Sequence, residues 1–181
     1  MKSSFFISFY LIVGFSLACS GQPSEKDASW TPVESSEAGF KAMFPCDPKV
    51  SKKLFQETPK VAHLYSYECT FEGVKFSVSL PERLGDFDPR LSKERLDSTE
   101  GLLREGIGEK GRITANDSDS NGYLSRDFEV DSGNVYGRQF LIEHLRGQYG
   151  IQAFGKYEGA MNRERILALA SRFIDSFKLS Q

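Results

Sequence analysis

The fold is decided by residues 61–80, which read VAHLYSYECTFEGVKFSVSL. On both sides of the Glu72-Gly73 pair, every second residue is apolar, aromatic or cysteine, with His63 as the exception. Alternation with a period of two is typical of a strand with one buried face, and a Glu-Gly pair suits a tight turn. This stretch therefore predicts an antiparallel hairpin with one face in the core.

Segments on either side of this hairpin repeat the strand pattern or change to a helical one. Strands are predicted by residues 39–44, 111–115, 123–130, 135–145 and 149–154. Residues 89–108 and 162–179 instead bring their apolar residues to one side at a helical spacing, and Asn162 suits an N-cap. Strands, a central helix, more strands and a C-terminal helix together predict an α+β sandwich with a mainly antiparallel sheet.

Length and charge limit the classes of protein to be considered. The chain has 181 residues, of which 39% are hydrophobic, which is enough for the core of one domain. Its 23 basic and 25 acidic side chains leave a formal charge of −2. A surface so evenly balanced offers no electrostatic attraction to nucleic acid, so we expect no nucleic-acid partner.

The N-terminal segment has the composition of an export signal. Lys2 precedes an apolar stretch of about a dozen residues, too short for a permanent span of ~30 Å of hydrocarbon. Residues 1–18 are therefore predicted to be a signal peptide, and the sequence Ser16-Leu17-Ala18-Cys19 resembles a bacterial lipobox. The alternative is ordinary signal-peptidase cleavage after Ala18, because Ser16 and Ala18 fit its small-x-small rule.

These features predict a location and a domain organisation. A lipidated Cys19 would be followed by a flexible tether over residues 19–29 and a single α+β domain over residues 30–181. We expect a cell-envelope protein anchored in a membrane through its N-terminal lipid, with a possible envelope protein as partner. Ser20 favours the outer membrane and its periplasmic face, and the alternative is a secreted or periplasmic soluble protein.

The two remaining cysteines suggest a disulfide. An exported pair in an oxidising compartment is expected to bridge, so Cys46 and Cys69 are predicted to be joined. A loop of this length would contribute about 3 kcal/mol by the chain-entropy estimate. The alternatives are a metal site or a catalytic thiol, for which only His63 and His144 could supply a partner.

Several segments carry a resemblance to known proteins. They are Trp30-Thr31-Pro32, residues 37–48 (EAGFKAMFPCDP), the hairpin of residues 138–154, and residues 172–179 (RFIDSFKL). Together they resemble an uncharacterised family of bacterial envelope lipoproteins with a PsbP-like fold, an α/β/α sandwich. The resemblance implies a binding or assembly module rather than an enzyme. It implies no active-site residues, because its shared motifs are core aromatics, turns and a disulfide.

One local motif suggests a cation. Asp117, Asp119 and Asn121 are followed by Gly122, and oxygen ligands at positions one, three and five before a glycine are typical of a calcium loop. The bidentate acid expected at position twelve is replaced by Phe128. These residue types also form ordinary turns, and the alternative interpretation is a polar loop between two strands. No other metal site and no cofactor are predicted.

Catalytic signatures are weak. The mature chain has no GxSxG motif and no phosphate-binding glycine motif, and acidic pairs such as Asp86/Asp88 and Glu129/Asp131 are common on any surface. A basic set around the central helix is interleaved with acids and indicates a solvated face: Arg83, Arg90, Lys93, Arg95 and Arg104.

Three functional hypotheses follow. The first is a non-catalytic, envelope-tethered binding or assembly module that acts through a sheet face or a groove beside the central helix. The second is an envelope hydrolase, which requires His63 or His144 in a deep pocket beside a carboxylate. The third is a calcium-stabilised adhesion or interaction domain.

Overall fold

A computed structural model describes residues 29–54, 61–156 and 162–180. Ten strands and two helices lie in these ranges. They are β1 (Thr31–Ser35), β2 (Phe40–Phe44), β3 (Lys49–Leu54), β4 (Val61–Phe71), β5 (Val74–Arg83), α1 (Ser92–Ile107), β6 (Arg112–Ser120), β7 (Tyr123–Asp131), β8 (Val135–His144), β9 (Gly147–Lys156), α2 (Arg163–Asp175) and β10 (Lys178–Leu179). A single 3₁₀ turn, Pro89–Leu91, leads into α1.

The strands form two antiparallel sheets. The larger sheet has seven strands in the order β3-β4-β5-β9-β8-β7-β6, and the smaller has the order β1-β2-β10. Each of the predicted hairpins is present, and Glu72 and Gly73 both adopt positive φ in the tight turn that joins β4 to β5. The pairing of β5 with β9 brings the two halves of the chain together.

The two helices cover opposite faces of the large sheet. Along β8, Leu141 belongs to the apolar cluster that contains Leu96 of α1, whereas Ile142 belongs to the main cluster, which contains the apolar stripe of α2. Because successive residues of a strand point to opposite faces, α1 and α2 must lie on different sides. The small sheet lies on the α2 side, where Phe44 contacts Phe173. The predicted α+β fold with an α/β/α layering is confirmed.

The main core lies between α2, the small sheet and strands β4, β5 and β9. Helix α2 begins at an N-cap, where Asn162 Oδ1 accepts a hydrogen bond of 2.7 Å from the Arg165 N–H. Its apolar stripe is buried, and Phe173 contacts Phe76 at 5.3 Å between ring centroids. The apolar side that the sequence predicts for this helix therefore packs across the sheet.

The end of this helix corrects the sequence prediction. The helix stops at Asp175, and Lys178–Leu179 pair with β2 instead of continuing the helix to residue 179. The Ser176 hydroxyl donates to the Phe173 carbonyl and accepts from the Met43 N–H, which fixes the chain as it leaves the helix. Phe177 then stacks on Phe40 at 5.7 Å, so its apolar side chain is used in the core without being helical.

A disulfide joins Cys46 to Cys69, with the two Cα atoms 6.0 Å apart. It ties the segment before β3 to the buried face of β4. The predicted signal peptide, the lipidated Cys19 and the tether up to residue 28 lie outside the described residues. Within the described ranges, no helix has both the length and the apolar character to cross a membrane.

Candidate functional site

A groove opens on the large sheet between the side of α2 and the edge strand β6. Its volume is about 260 Å³. The lining residues come from three neighbouring strands and from the helix: Thr114 and Asn116 of β6, Asp127 and Glu129 of β7, Arg138 of β8, and Leu167 and Ser171 of α2. We call this cavity the edge groove. It lies on a face of the large sheet beside the C-terminal helix, and the sequence suggested either a sheet face or a groove beside the central helix.

The polar floor of the edge groove follows from the alternation of β7. Phe128 and Val130 point to the opposite face, where they pack beneath α1. The intervening Asp127 and Glu129 must therefore point to the α2 side. Helix α2 packs mainly on β8 and β9, so these two carboxylates lie beyond the apolar stripe of the helix.

Arg138 fixes the inner end of the edge groove. Its guanidinium pairs with the Asp127 carboxylate and donates a hydrogen bond of 2.8 Å to the Ser171 hydroxyl of α2. Burial acts to lower the pKa of Arg138, but the ion pair with Asp127 reverses that effect and the pKa is raised. Arg138 therefore stays charged and holds the helix, the strand and the carboxylate in one geometry.

A smaller cavity of about 130 Å³ continues the groove toward the start of β6 and α2, where Arg112, Asp131 and Arg163 join its wall. Arg112 lies 3.3 Å from Asp131, and Arg163 lies 3.1 Å from Glu129. The Gly133 N–H and these arginines lower the pKa of Asp131. A carboxylate with a lowered pKa stays ionised near neutral pH and is a poor proton donor.

These contacts define the chemistry available in the groove. Acidic and basic groups alternate over its surface, and each of the carboxylates named above already has a cationic partner. Such a lining offers fixed hydrogen-bond donors and acceptors to a polar ligand at little reorganisation cost.

Both histidines are partly buried and lie outside the two cavities. His63 Nδ1 is 2.9 Å from Glu82 Oε2, so one predicted histidine does have a carboxylate neighbour. Burial acts to raise the pKa of Glu82, but hydrogen bonds from His63 and Arg146 outweigh it and the pKa is lowered. Among the described residues, no hydrogen bond connects His63 to a serine, threonine or cysteine. The hydrolase hypothesis stays a prediction that rests on this pair.

His144 lies in an aromatic environment. Its ring is 4.4 Å from that of Tyr123 and 5.5 Å from that of Tyr149, between centroids. Its Nδ1 accepts a hydrogen bond from the Arg146 N–H, and burial lowers its pKa. This histidine therefore serves as a neutral acceptor that orders the turn after β8.

The residues of the suggested calcium motif lie in a strand hairpin. Asp117 pairs with Arg126, while Asp119 Oδ1 accepts a hydrogen bond of 2.9 Å from the Gly122 N–H. Asn121 and Gly122 form the turn with positive φ. Within the described part of the chain, no group of three or more His, Cys, Asp or Glu side chains could hold a metal ion. Calcium binding here stays a prediction.

On the opposite face, two members of the predicted basic set are not solvated as expected. Arg83 and Arg95 both pair with Glu143, whose side chain is completely buried. Gln148 donates a further hydrogen bond of 2.8 Å to the same carboxylate. This cluster fastens α1 to β5 and β8 because a buried carboxylate must keep its cationic partners.

Comparison with known proteins identifies no family. No family model matches the chain, and no curated protein matches it. The chain is similar to the solution structure of cyanobacterial PsbP (CyanoP) from Synechocystis sp. PCC 6803, with 14% identity and a TM-score of 0.49. The match covers 88% of this chain and 98% of that one.

Proposed function

We propose that this chain is a non-catalytic binding or assembly module, held at the outer side of a membrane by its N terminus. The edge groove is the observation that carries the proposal. It is a preformed polar cavity between α2 and the β6–β7 hairpin, and it opens onto the edge of the large sheet. Preformed clefts with a few converging polar groups are the usual binding sites of proteins.

The charges of the groove favour binding over turnover. The groove's arginines and carboxylates hold one another in fixed pairs, including Arg138 with Asp127 and Arg163 with Glu129. Pairs of this kind orient hydrogen bonds and select partners by electrostatic complementarity. The ligand we propose is an envelope polypeptide, since the groove runs along an open strand that can itself form hydrogen bonds.

The location is part of the proposal. We propose that residues 1–18 are removed, that Cys19 carries a lipid, and that the anchored domain faces the periplasm at the outer membrane. The Cys46–Cys69 disulfide supports export, because such bonds persist in oxidising compartments. Mass spectrometry of the native protein tests this step, and recovery of a chain that still begins at Met1 contradicts it.

The binding function can be tested with two matched substitutions. Thr114 lines both cavities, and Thr70 is an exposed threonine on a different strand and on the opposite face of the sheet. We expect Thr114→Trp to fill the groove and reduce capture of an envelope protein by the anchored chain at least tenfold. Thr70→Trp is expected to leave capture unchanged. Equal capture by both variants, or no capture by the natural chain, contradicts the proposal.

A further inference from the structure

We infer that the outer edge of β6 binds an extended segment of a partner polypeptide, which adds to the large sheet as an eighth strand. This inference rests on the proposed binding function and names the class of its ligand. Among the described residues, β6 pairs with β7 and with no other strand. An unpaired edge displays a row of backbone N–H and C=O groups that can bind another strand.

The register of the hairpin determines which groups point outward. Ser120 is opposite Tyr123, and only Asn121 and Gly122 lie between them. In a two-residue hairpin the closing pair exchanges both backbone hydrogen bonds, and such pairs alternate with non-hydrogen-bonded pairs along the ladder. The even-numbered residues of β6 therefore bond to β7. The odd-numbered residues, among them Ile113 and Ala115, direct their N–H and C=O groups outward.

The charged side chains of β6 are not positioned to prevent another strand from pairing with its edge. Arg112 is drawn onto Asp131 of β7, Asp117 is bound by Arg126, and Asp119 accepts the Gly122 N–H. Charges on an edge strand normally discourage pairing with another chain. Here each is engaged with its own hairpin, and β6 contains neither lysine nor proline. The backbone of the strand is therefore left open over nine residues.

The two faces beside β6 define the side chains that an added strand would need. On the α1 side, Ile113 and Ala115 are half-buried against the apolar cluster that contains Leu96 and Phe128. On the α2 side, Thr114 and Asn116 line the polar edge groove. An added strand would place alternate side chains on these two faces. The ligand class is therefore an extended segment that alternates apolar residues with polar or basic ones.

A second copy of β6 fits this edge less well. Antiparallel pairing of the full strand with itself is centred on Asn116. It would place Ile113 opposite Asp119 and Ala115 opposite Asp117. Directly opposite residues are neighbours on one face, so each apolar side chain would lie against a carboxylate. A segment of a different polypeptide is the occupant that we propose.

The test uses a defined probe and two proline variants. The probe is a blocked nine-residue peptide with lysine at both ends and alternating valine and threonine between them. Ala115→Pro removes one outward N–H from β6. The β4–β5 hairpin closes at Phe71 and Val74, and the same alternation makes Val50 an outward residue of β3. Val50→Pro is therefore the matched control, since proline is tolerated on the outer side of edge strands.

Hydrogen exchange of the full chain is measured by NMR with and without the peptide. We expect the amides of Ile113 and Asp117 to exchange at least tenfold more slowly when the peptide is bound. Ala115→Pro is expected to abolish this protection, and Val50→Pro to preserve it. If Ala115→Pro fails to fold, Ile113→Pro tests the same edge from the next outward position.

Three results would overturn the inference. The first is that no β6 amide is protected from exchange at saturating peptide, and the second is that the β3 amides are protected in place of those of β6. The third is a concentration-dependent dimer that Ala115→Pro abolishes, because a second copy of the chain would then be the occupant. The proposed function is tested separately. One outcome is that the peptide gives no protection while Thr114→Trp still reduces capture of the envelope protein. In that case the proposed binding function of the groove stands, and only the inference of an added strand is wrong.

Discussion

The two edges of the large sheet are protected in different ways. β3 has six residues, three of which are lysines, and Lys52 pairs with Glu37 in the turn before β2. β6 has nine residues, and its charged side chains pair with groups of its own hairpin. Lysines on an edge strand discourage pairing with other chains. The charged side chains of β6 are held within its own hairpin, which leaves the backbone of that edge accessible. The comparison suggests that one edge is closed by its composition and the other is kept available.

The two edges are also attached to the rest of the domain by different interactions, which we call the β3 support and the β6 support. The β3 side is held covalently by the disulfide between Cys46 and Cys69. The β6 side is held by Arg126, whose side chain is 4% exposed and contacts Asp97, Glu100 and Asp117. A covalent bond is insensitive to pH, while an ion cluster is not. The two halves of the sheet can therefore be destabilised separately.

The largest expected effect comes from removing the disulfide. Replacing Cys46 and Cys69 together by serine is expected to lower the free energy of unfolding by about 3 kcal/mol, because the unfolded chain regains the entropy of the closed loop. Urea unfolding measures the change, and reduction of the natural protein is the control. Hydrogen exchange is expected to accelerate in β3 more than in β6. Equal acceleration at both edges contradicts the independence of the two supports.

A smaller effect is expected from Arg126→Met, which removes the cation of the β6 support. Removing one partner of a buried ion pair costs 3–5 kcal/mol as a rule. Asp97 and Asp117 remain about half exposed and can be hydrated, so we expect a loss of about 2 kcal/mol in urea unfolding. Lys52→Met at the other edge breaks an exposed pair and is expected to cause no measurable loss. A similar loss of unfolding free energy from both variants would contradict the claim that only the β6 edge depends on a buried cation.

The hairpin of β4 and β5 could be predicted from the sequence, whereas the groove could not. Residues 61–80 alternate on both sides of the turn with one exception, His63, so the local pattern and the turn residues are enough to predict the hairpin. The edge groove depends on which strands α2 covers, and the tertiary packing of α2 places it mainly on β8 and β9. No local pattern contains this information. The available signal was the alternation of Asp127 and Glu129 with buried apolar residues, which marks a polar face.

β6 is longer than its sequence predicts, for a physical reason. The sequence from Asn116 to Ser120 has low strand propensity and indicates a polar loop. In the structure it is paired throughout, because Arg126 neutralises Asp117 and the Ser118 and Ser125 hydroxyls meet at 2.8 Å. These cross-strand contacts overcome the local preference. Asn121 and Gly122 form the turn of this hairpin, and Asn-Gly is a residue pair that favours such turns.

Acid is expected to weaken the β6 support selectively. The hydrogen bonds from Arg126 hold the pKa of Asp117 below its ordinary value, although burial opposes the shift. A group with a lowered pKa in the folded state adds stability that is complete above its unfolded pKa, near 4, and is lost as the pH falls through the folded value. We expect the stability difference between the natural protein and Arg126→Met to shrink to less than half between pH 7 and pH 2.5 in urea unfolding. A difference that is constant with pH rules out this role of Asp117.

The smallest expected effect concerns calcium at the turn end of the same hairpin. A calcium site requires oxygen ligands that converge on the ion. Here Asp117 is already bound to Arg126, and Asp119 already accepts the Gly122 N–H within the hairpin. Binding an ion would break both contacts, so we expect the melting temperature to be the same with calcium as with a chelator, within the error of the scan. A reproducible rise with calcium, abolished by Asp119→Asn, would instead support a calcium-stabilised hairpin at this edge. It would also mean that β6 changes its contacts when the ion binds.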